Sequence, residues 1–172
     1  MTEFEAKKIG SRQGLISVGL GILIAQLIMT SASSQNGIVN SFLWFTSFRY
    51  NLNILIGIII MLLSGHYFGQ LSGVAILIKK RNYVLTGILC GMAILITTAF
   101  LSSCTGFFQE GIKQLGTNDD PFEDYILKPA FWIFSIGLLP TFLVGIWFGR
   151  QIKKHSNIDK LGINIISESE RS

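Results

Sequence analysis

Charge is what this sequence has least of. Only 14% of its 172 residues are Asp, Glu, Lys or Arg, against about 25% in soluble domains, and the mean hydropathy is +0.52. A large water-soluble catalytic domain is excluded on that ground. Cysteine is also scarce. Cys90 and Cys104 cannot build a multi-bridge framework, and nearly four helical turns on one apolar stretch keep them too far apart to bond. No Cys or His spacing suits zinc, no Walker-type glycine loop is present, and Ser64 and Ser72 lie outside any Gly-x-Ser-x-Gly elbow. Ser64-Gly65-His66 brings a hydroxyl near an imidazole without an orienting acid. No catalytic residue, metal or cofactor is expected.

What the chain does have is long apolar runs. Four segments, 14–32, 52–78, 83–103 and 129–149, each reach the length of about 20 residues that crosses the hydrocarbon. They are apolar on every side, as a lipid-embedded helix is, and lack the alternation of a membrane strand. The expected fold is therefore all-α, a bundle of four transmembrane helices spanning 14–154, with a tail at 1–13 and a short polar, loosely ordered tail at 155–172. The N-terminal pattern of Lys7, Lys8 and Arg12 before an apolar run resembles a signal peptide, but its length and the spans that follow favour a retained helix. Pro129 marks the start of the fourth span.

Basic residues set the expected orientation. Lys7, Lys8 and Arg12, then Lys79, Lys80 and Arg81, then Arg150, Lys153, Lys154 and Lys160 flank the spans on one side. The positive-inside rule puts that side, with both termini, in the cytoplasm of a plasma or bacterial inner membrane. The same charges face anionic headgroups; nucleic acid is not an expected partner. On the other side, residues 42–48 are aromatic enough to lie along the interface, and 116–121 is turn chemistry in an acidic loop.

The second span slides onto the fourth with Ile56 on Ile136, Gly57 on Gly137, Gly65 on Gly145, Phe68 on Phe148 and Gly69 on Gly149. The first meets the third at a slightly different offset, Gly21 on Gly91. Two similarly oriented hairpins would explain this, and so would shared composition. Small residues recur every four positions at Gly65, Gly69 and Gly73, at Gly137, Thr141, Gly145 and Gly149, and at Ser17, Gly21 and Ala25. In lipid such rows let helices approach closely.

The span interiors hold no Asp, Glu, Lys or Arg, which weighs against an ion-coupled transporter. His66, deep in the second span, is the exception. It is either a functional group able to titrate near neutral pH or a neutral structural donor. Gln26 and Gln70 read as interhelical glue. The expected function is a non-enzymatic multi-pass protein acting by helix packing, as an accessory, assembly or protective subunit. Its partners would be the bilayer and another membrane protein or a second copy. The alternative is a small carrier or pore for a neutral or weakly polar solute, lined by His66, Gln26 and Gln70.

Overall fold

The computed structural model describes residues 1–32, 51–116 and 120–169, and all its regular elements are helical. Helix α1 covers Glu3–Ala32, α2 Asn51–Leu77, α3 Tyr83–Gln109 and α4 Lys128–Ser169. Four helices are long and apolar enough to cross a membrane. The expected interfacial stretch 42–48 and turn residues 117–119 lie outside the described residues.

Local chemistry fixes the helix ends. Thr2 and Glu5 form a reciprocal capping box: Glu5 Oε2 accepts from the Thr2 N–H at 2.7 Å, and Thr2 Oγ1 accepts from the Glu5 N–H at 3.3 Å. Asn82 opens α3 by accepting from the Val84 and Leu85 N–H groups. The turn before it places Lys80 at φ 50°, a left-handed conformation usually left to glycine.

The fourth helical run begins earlier than Pro129. Asp120 Oδ1 accepts from the Phe122 and Glu123 N–H groups, so Pro121 holds the first helical position, where its missing N–H costs nothing. A single π turn, Glu123–Leu127, follows, with the Lys128 N–H reaching back to the Glu123 carbonyl. Pro129 supplies the reason. It has no N–H to return to Tyr125, and its ring crowds that carbonyl unless the turn widens. At the other end α4 continues as helix to Ser169, through the region where the sequence suggested a loose tail.

The helices pair by backbone contact. A Cβ added at Gly69 would lie 2.6 Å from the Gly10 carbonyl oxygen, one at Gly73 would strike the Ala6 carbonyl, and one at Gly14 the Gly65 carbonyl. These contacts make an antiparallel α1–α2 seam. A second seam joins α3 to α4: a Cβ on Gly145 would sit 2.9 Å from the Gly87 carbonyl oxygen, and one on Gly149 would strike the Tyr83 carbonyl. The two seams match residue for residue, with Gly65 and Gly69 in the places of Gly145 and Gly149. Gly14 then corresponds to Gly87, three positions displaced from the Gly21–Gly91 alignment. The contact row on α1 is accordingly Ala6, Gly10 and Gly14 rather than Ser17, Gly21 and Ala25; the nearest atom to a Cβ on Gly21 is Met61 Cε, at 3.9 Å. Gly137 faces the Leu95 side chain instead of a backbone.

Antiparallel pairing gathers the α1 and α3 starts with the α2 end and the Arg150–His155 part of α4. This basic end carries Lys7, Lys8, Arg12, Lys79, Lys80, Arg81, Arg150, Lys153 and Lys154. Just inside it Ile76, Cys90, Phe148 and Ile152 form a buried cluster, backed by Phe68, Tyr83, Ile94 and Trp147. Lys153 Nζ lies 4.3 Å above the Tyr83 ring, a cation–π contact between α3 and α4. Leu23, Leu63, Leu89, Leu139 and Leu143 point outward, an apolar exterior that only hydrocarbon or another protein satisfies.

A leucine at Gly69 would drive its side chain into Gly10, whereas Gly19 has nothing within 4 Å of an added Cβ. Gly69→Leu is expected to destabilise the bundle by at least about 1–3 kcal/mol through overpacking, and Gly19→Leu by less than about 0.5 kcal/mol. Thermal unfolding of both variants in detergent measures the difference; equal stability would refute the seam.

Candidate functional site

The seam between α1 and α2 also carries an imidazole with a partner on each ring nitrogen. His66 Nδ1 lies 2.7 Å from Ser11 Oγ on α1, and His66 Nε2 lies 2.7 Å from Gln70 Nε2, one turn along α2. With the carboxamide oxygen toward Nε2, Nε2–H donates to Gln70 and Nδ1 accepts from the Ser11 hydroxyl; with the nitrogen toward it, both bonds run the other way. Either way His66 is held by two partners, one on each ring nitrogen. Ser11 differs from Ser17 and Ser31, whose hydroxyls donate to the carbonyl four residues back, Gln13 at 2.8 Å and Leu27 at 2.9 Å. Its oxygen is instead turned across the seam.

The two helices put this cluster at different levels. Helix α2 has 27 residues, roughly 40 Å at 1.5 Å per residue, and the hydrocarbon is about 30 Å thick. Ser11 adjoins Arg12 at the last charged position of α1. Through Ser11, His66 is level with the last charged turn of α1, while on α2 it lies two residues from the helix midpoint at Ser64. Its ring is exposed on the outside of the bundle rather than pointed into its centre. Gln70 is in contact with it; Gln26 is not, being 15 residues beyond Ser11 on α1, roughly 22 Å along the helix.

A second polar contact ties α1 to α4 at the same end, with Gln13 Nε2 3.2 Å from His155 Nε2. At the opposite end Asn53 of α2 meets α3: Thr105 Oγ1 is 2.8 Å from Asn53 Oδ1 and 2.6 Å from the Ser102 carbonyl oxygen. One hydroxyl proton cannot serve two acceptors fully. Turning the carboxamide so that Nδ2 donates to Thr105, and Thr105 to Ser102, closes the chain. Gly57 and Gly106 make room for this contact, Gly57 against Ser102 and Gly106 against Asn53. Lys128 pairs with Asp124 at 2.5 Å and Glu123 at 3.6 Å on the acidic surface.

Among the described residues no cluster of three or more His, Cys, Asp or Glu side chains is placed to hold a metal ion. Cys90 is buried, Cys104 half-buried, and both are free thiols. Comparison with protein-family models, curated proteins and solved structures finds no match to this chain. Ser11 and Asn53 are the residues that sequence reading did not place in these contacts. The available signal for Ser11 was the row Ala6, Gly10, Gly14 beside it, which begins ahead of the apolar run and so escapes a search confined to that run.

The Ser11–His66 bond crosses the seam, so its loss is measurable as coupling. Ser11→Ala and His66→Leu are each expected to cost about 1 kcal/mol, with a coupling energy of about 0.6 kcal/mol, the membrane average. A double-mutant cycle on thermal stability in detergent reads it directly; strictly additive losses would show that the bond contributes nothing.

Proposed function

We propose that this is a multi-pass, non-enzymatic membrane protein that works by helix packing, as an accessory or assembly subunit for another membrane protein. One observation carries the reading: the glycine rows and several interior polar side chains join one helix to another, while Ser17 bonds within its own helix and the buried Thr98 and Ser103 hydroxyls have no partner among the described residues. The glycines close two seams, Ser11 bonds across α1 and α2 to His66, which Gln70 also contacts from its own helix, and Asn53 and Thr105 join α2 to α3. The cluster of Ile76, Cys90, Phe148 and Ile152 fills the space between α2, α3 and α4 at the basic end. A solute path lined by His66, Gln70 and Gln26 gains no support, because the first two face outward and the third lies far from them.

The bundle is placed in a plasma or bacterial inner membrane with its basic end and both termini in the cytoplasm. The grouping of Lys7, Lys8, Arg12, Lys79, Lys80, Arg81, Arg150, Lys153 and Lys154 at one end supports that orientation. Its exposed leucines then meet acyl chains or a partner helix.

Two measurements test the proposal. In a chain with Cys90 and Cys104 replaced, an impermeant thiol reagent added outside the cell should label a cysteine at position 120 and leave positions 80 and 153 untouched; the reverse pattern overturns the orientation. Purification in mild detergent should return the protein with a stoichiometric membrane partner. A lone chain that moves a neutral solute across liposomes would overturn the accessory role.

A further inference from the structure

Helix α4 is fastened to α3 along only part of its length. Toward the basic end Gly145 and Gly149 meet the Gly87 and Tyr83 backbones. Thr141 is the last residue in such close contact, its Cγ2 lying 2.9 Å and its carbonyl oxygen 3.3 Å from a Cβ added at Gly91. At the other end of the run Ile126 is buried, and the Tyr125 carbonyl oxygen approaches Gly106. Between these anchors none of residues 127–144 is buried. The nearest atoms to a Cβ on Gly137, one turn beyond Thr141, belong to the Leu95 side chain, which can change rotamer where a backbone cannot. Each anchor also adjoins a break in the hydrogen-bond ladder. Pro140, inside α4, has no N–H for the Ile136 carbonyl, and its ring crowds that oxygen, a recognised cause of a kink. Pro129 lacks its N–H too, and the turn before it is the wide π turn Glu123–Leu127. All three prolines of the chain, Pro121, Pro129 and Pro140, lie in this one helical run.

We propose that residues 128–139 form a hinged segment, pivoting at the π turn and at Pro140, that parts from and closes on α3 while the Gly87–Gly145 seam stays shut. The segment moves as a rod, because a hinge is a few element-terminal residues that absorb the change in φ and ψ while the helix between them keeps its bonds. Few buried contacts make the opening cheap. Its outward residues Phe131, Trp132, Ile136 and Leu139 are exposed already, so a small pivot takes nothing from them. The seam cannot join the motion without giving up contact of backbone with backbone over several turns. The bundle thus has a fixed basic half and an adjustable opposite half, and the division falls at Pro140.

The contacts Gly87–Gly145, Gly91–Thr141 and Leu95–Gly137 set an antiparallel register that brings Phe100 level with Trp132 and Leu89 level with Leu143, all four exposed. The test uses the full chain in detergent, with Cys90 and Cys104 replaced and two spin labels at positions 100 and 132, beyond Pro140, or at 89 and 143, on the seam side of it. Double electron–electron resonance gives the distance distribution of each pair, and the 100–132 distribution should be the broader. Pro140→Ala, which restores the bond to Ile136, should narrow it to the width of the 89–143 pair. The same change should slow hydrogen exchange of the amides at 141–143 about fivefold, the protection that one backbone hydrogen bond confers. Pro129→Ala should narrow the distribution from the other pivot, and decides the matter where Pro140→Ala fails to fold. Equal widths for the two pairs in the otherwise unchanged chain, or a 100–132 width that neither alanine alters, would overturn the hinge.

Discussion

Helices that already sit in hydrocarbon gain almost nothing by burying leucine against leucine, so they must associate by some other means. Here that means is contact of backbone with backbone. Gly10 and Gly14 against Gly65, Gly69 and Gly73, and Gly87 against Gly145 and Gly149, bring main chains close enough that a single methyl group would not fit. Dispersion and Cα–H to carbonyl contacts then act over several turns. The remaining polar contacts depend on that approach: Ser11 has a short side chain, and it reaches His66 because the flanking glycines carry none.

Polar contacts between helices are few in such an interior, and the buried Thr98 and Ser103 hydroxyls have no partner among the described residues. Asn53 is opposed to Thr105 and Ser102, and Gln13 to His155, each pair joining different helices. One pair lies toward each end, Gln13 beside Gly14 of the α1 row and Asn53 one turn beyond Gly57. The buried apolar cluster around Ile152 lies between the two pairs, just inside the basic end, and locks α2, α3 and α4 in a common register.

Much of this was legible in the sequence, because hydropathy over about 20 residues is a strong signal. The four apolar helices follow from it, and the rows Gly65-Gly69-Gly73 and Gly145-Gly149 follow from spacing alone. The partner row on α1 was not legible in the same way. Ala6 and Gly10 lie among Lys7, Lys8 and Arg12, ahead of the apolar run, and a helix that extends past the hydrocarbon can pack where hydropathy gives no hint. Pro129 misled for a different reason: a proline one position into an apolar run marks a helix start only if no helix precedes it, and the Asp120–Pro121 cap had already begun one. Which residue of α1 faces which of α2 depends on rotation about both axes, and composition does not encode that angle.

The two glycine seams each join neighbours in the chain, α1 to α2 and α3 to α4, and this has a bearing on how the protein is made. A helix inserted alone would leave its seam face against lipid, with no complementary surface until the next span arrives. Since that span is always the following one, each pair can zip together during synthesis without waiting for distant sequence. The slower, later event is the docking of one finished pair on the other, through Gly57 and Ser102 and the contact of Gln13 with His155. Biogenesis would then proceed in two equal instalments, with a half-built intermediate that is itself a closed hairpin.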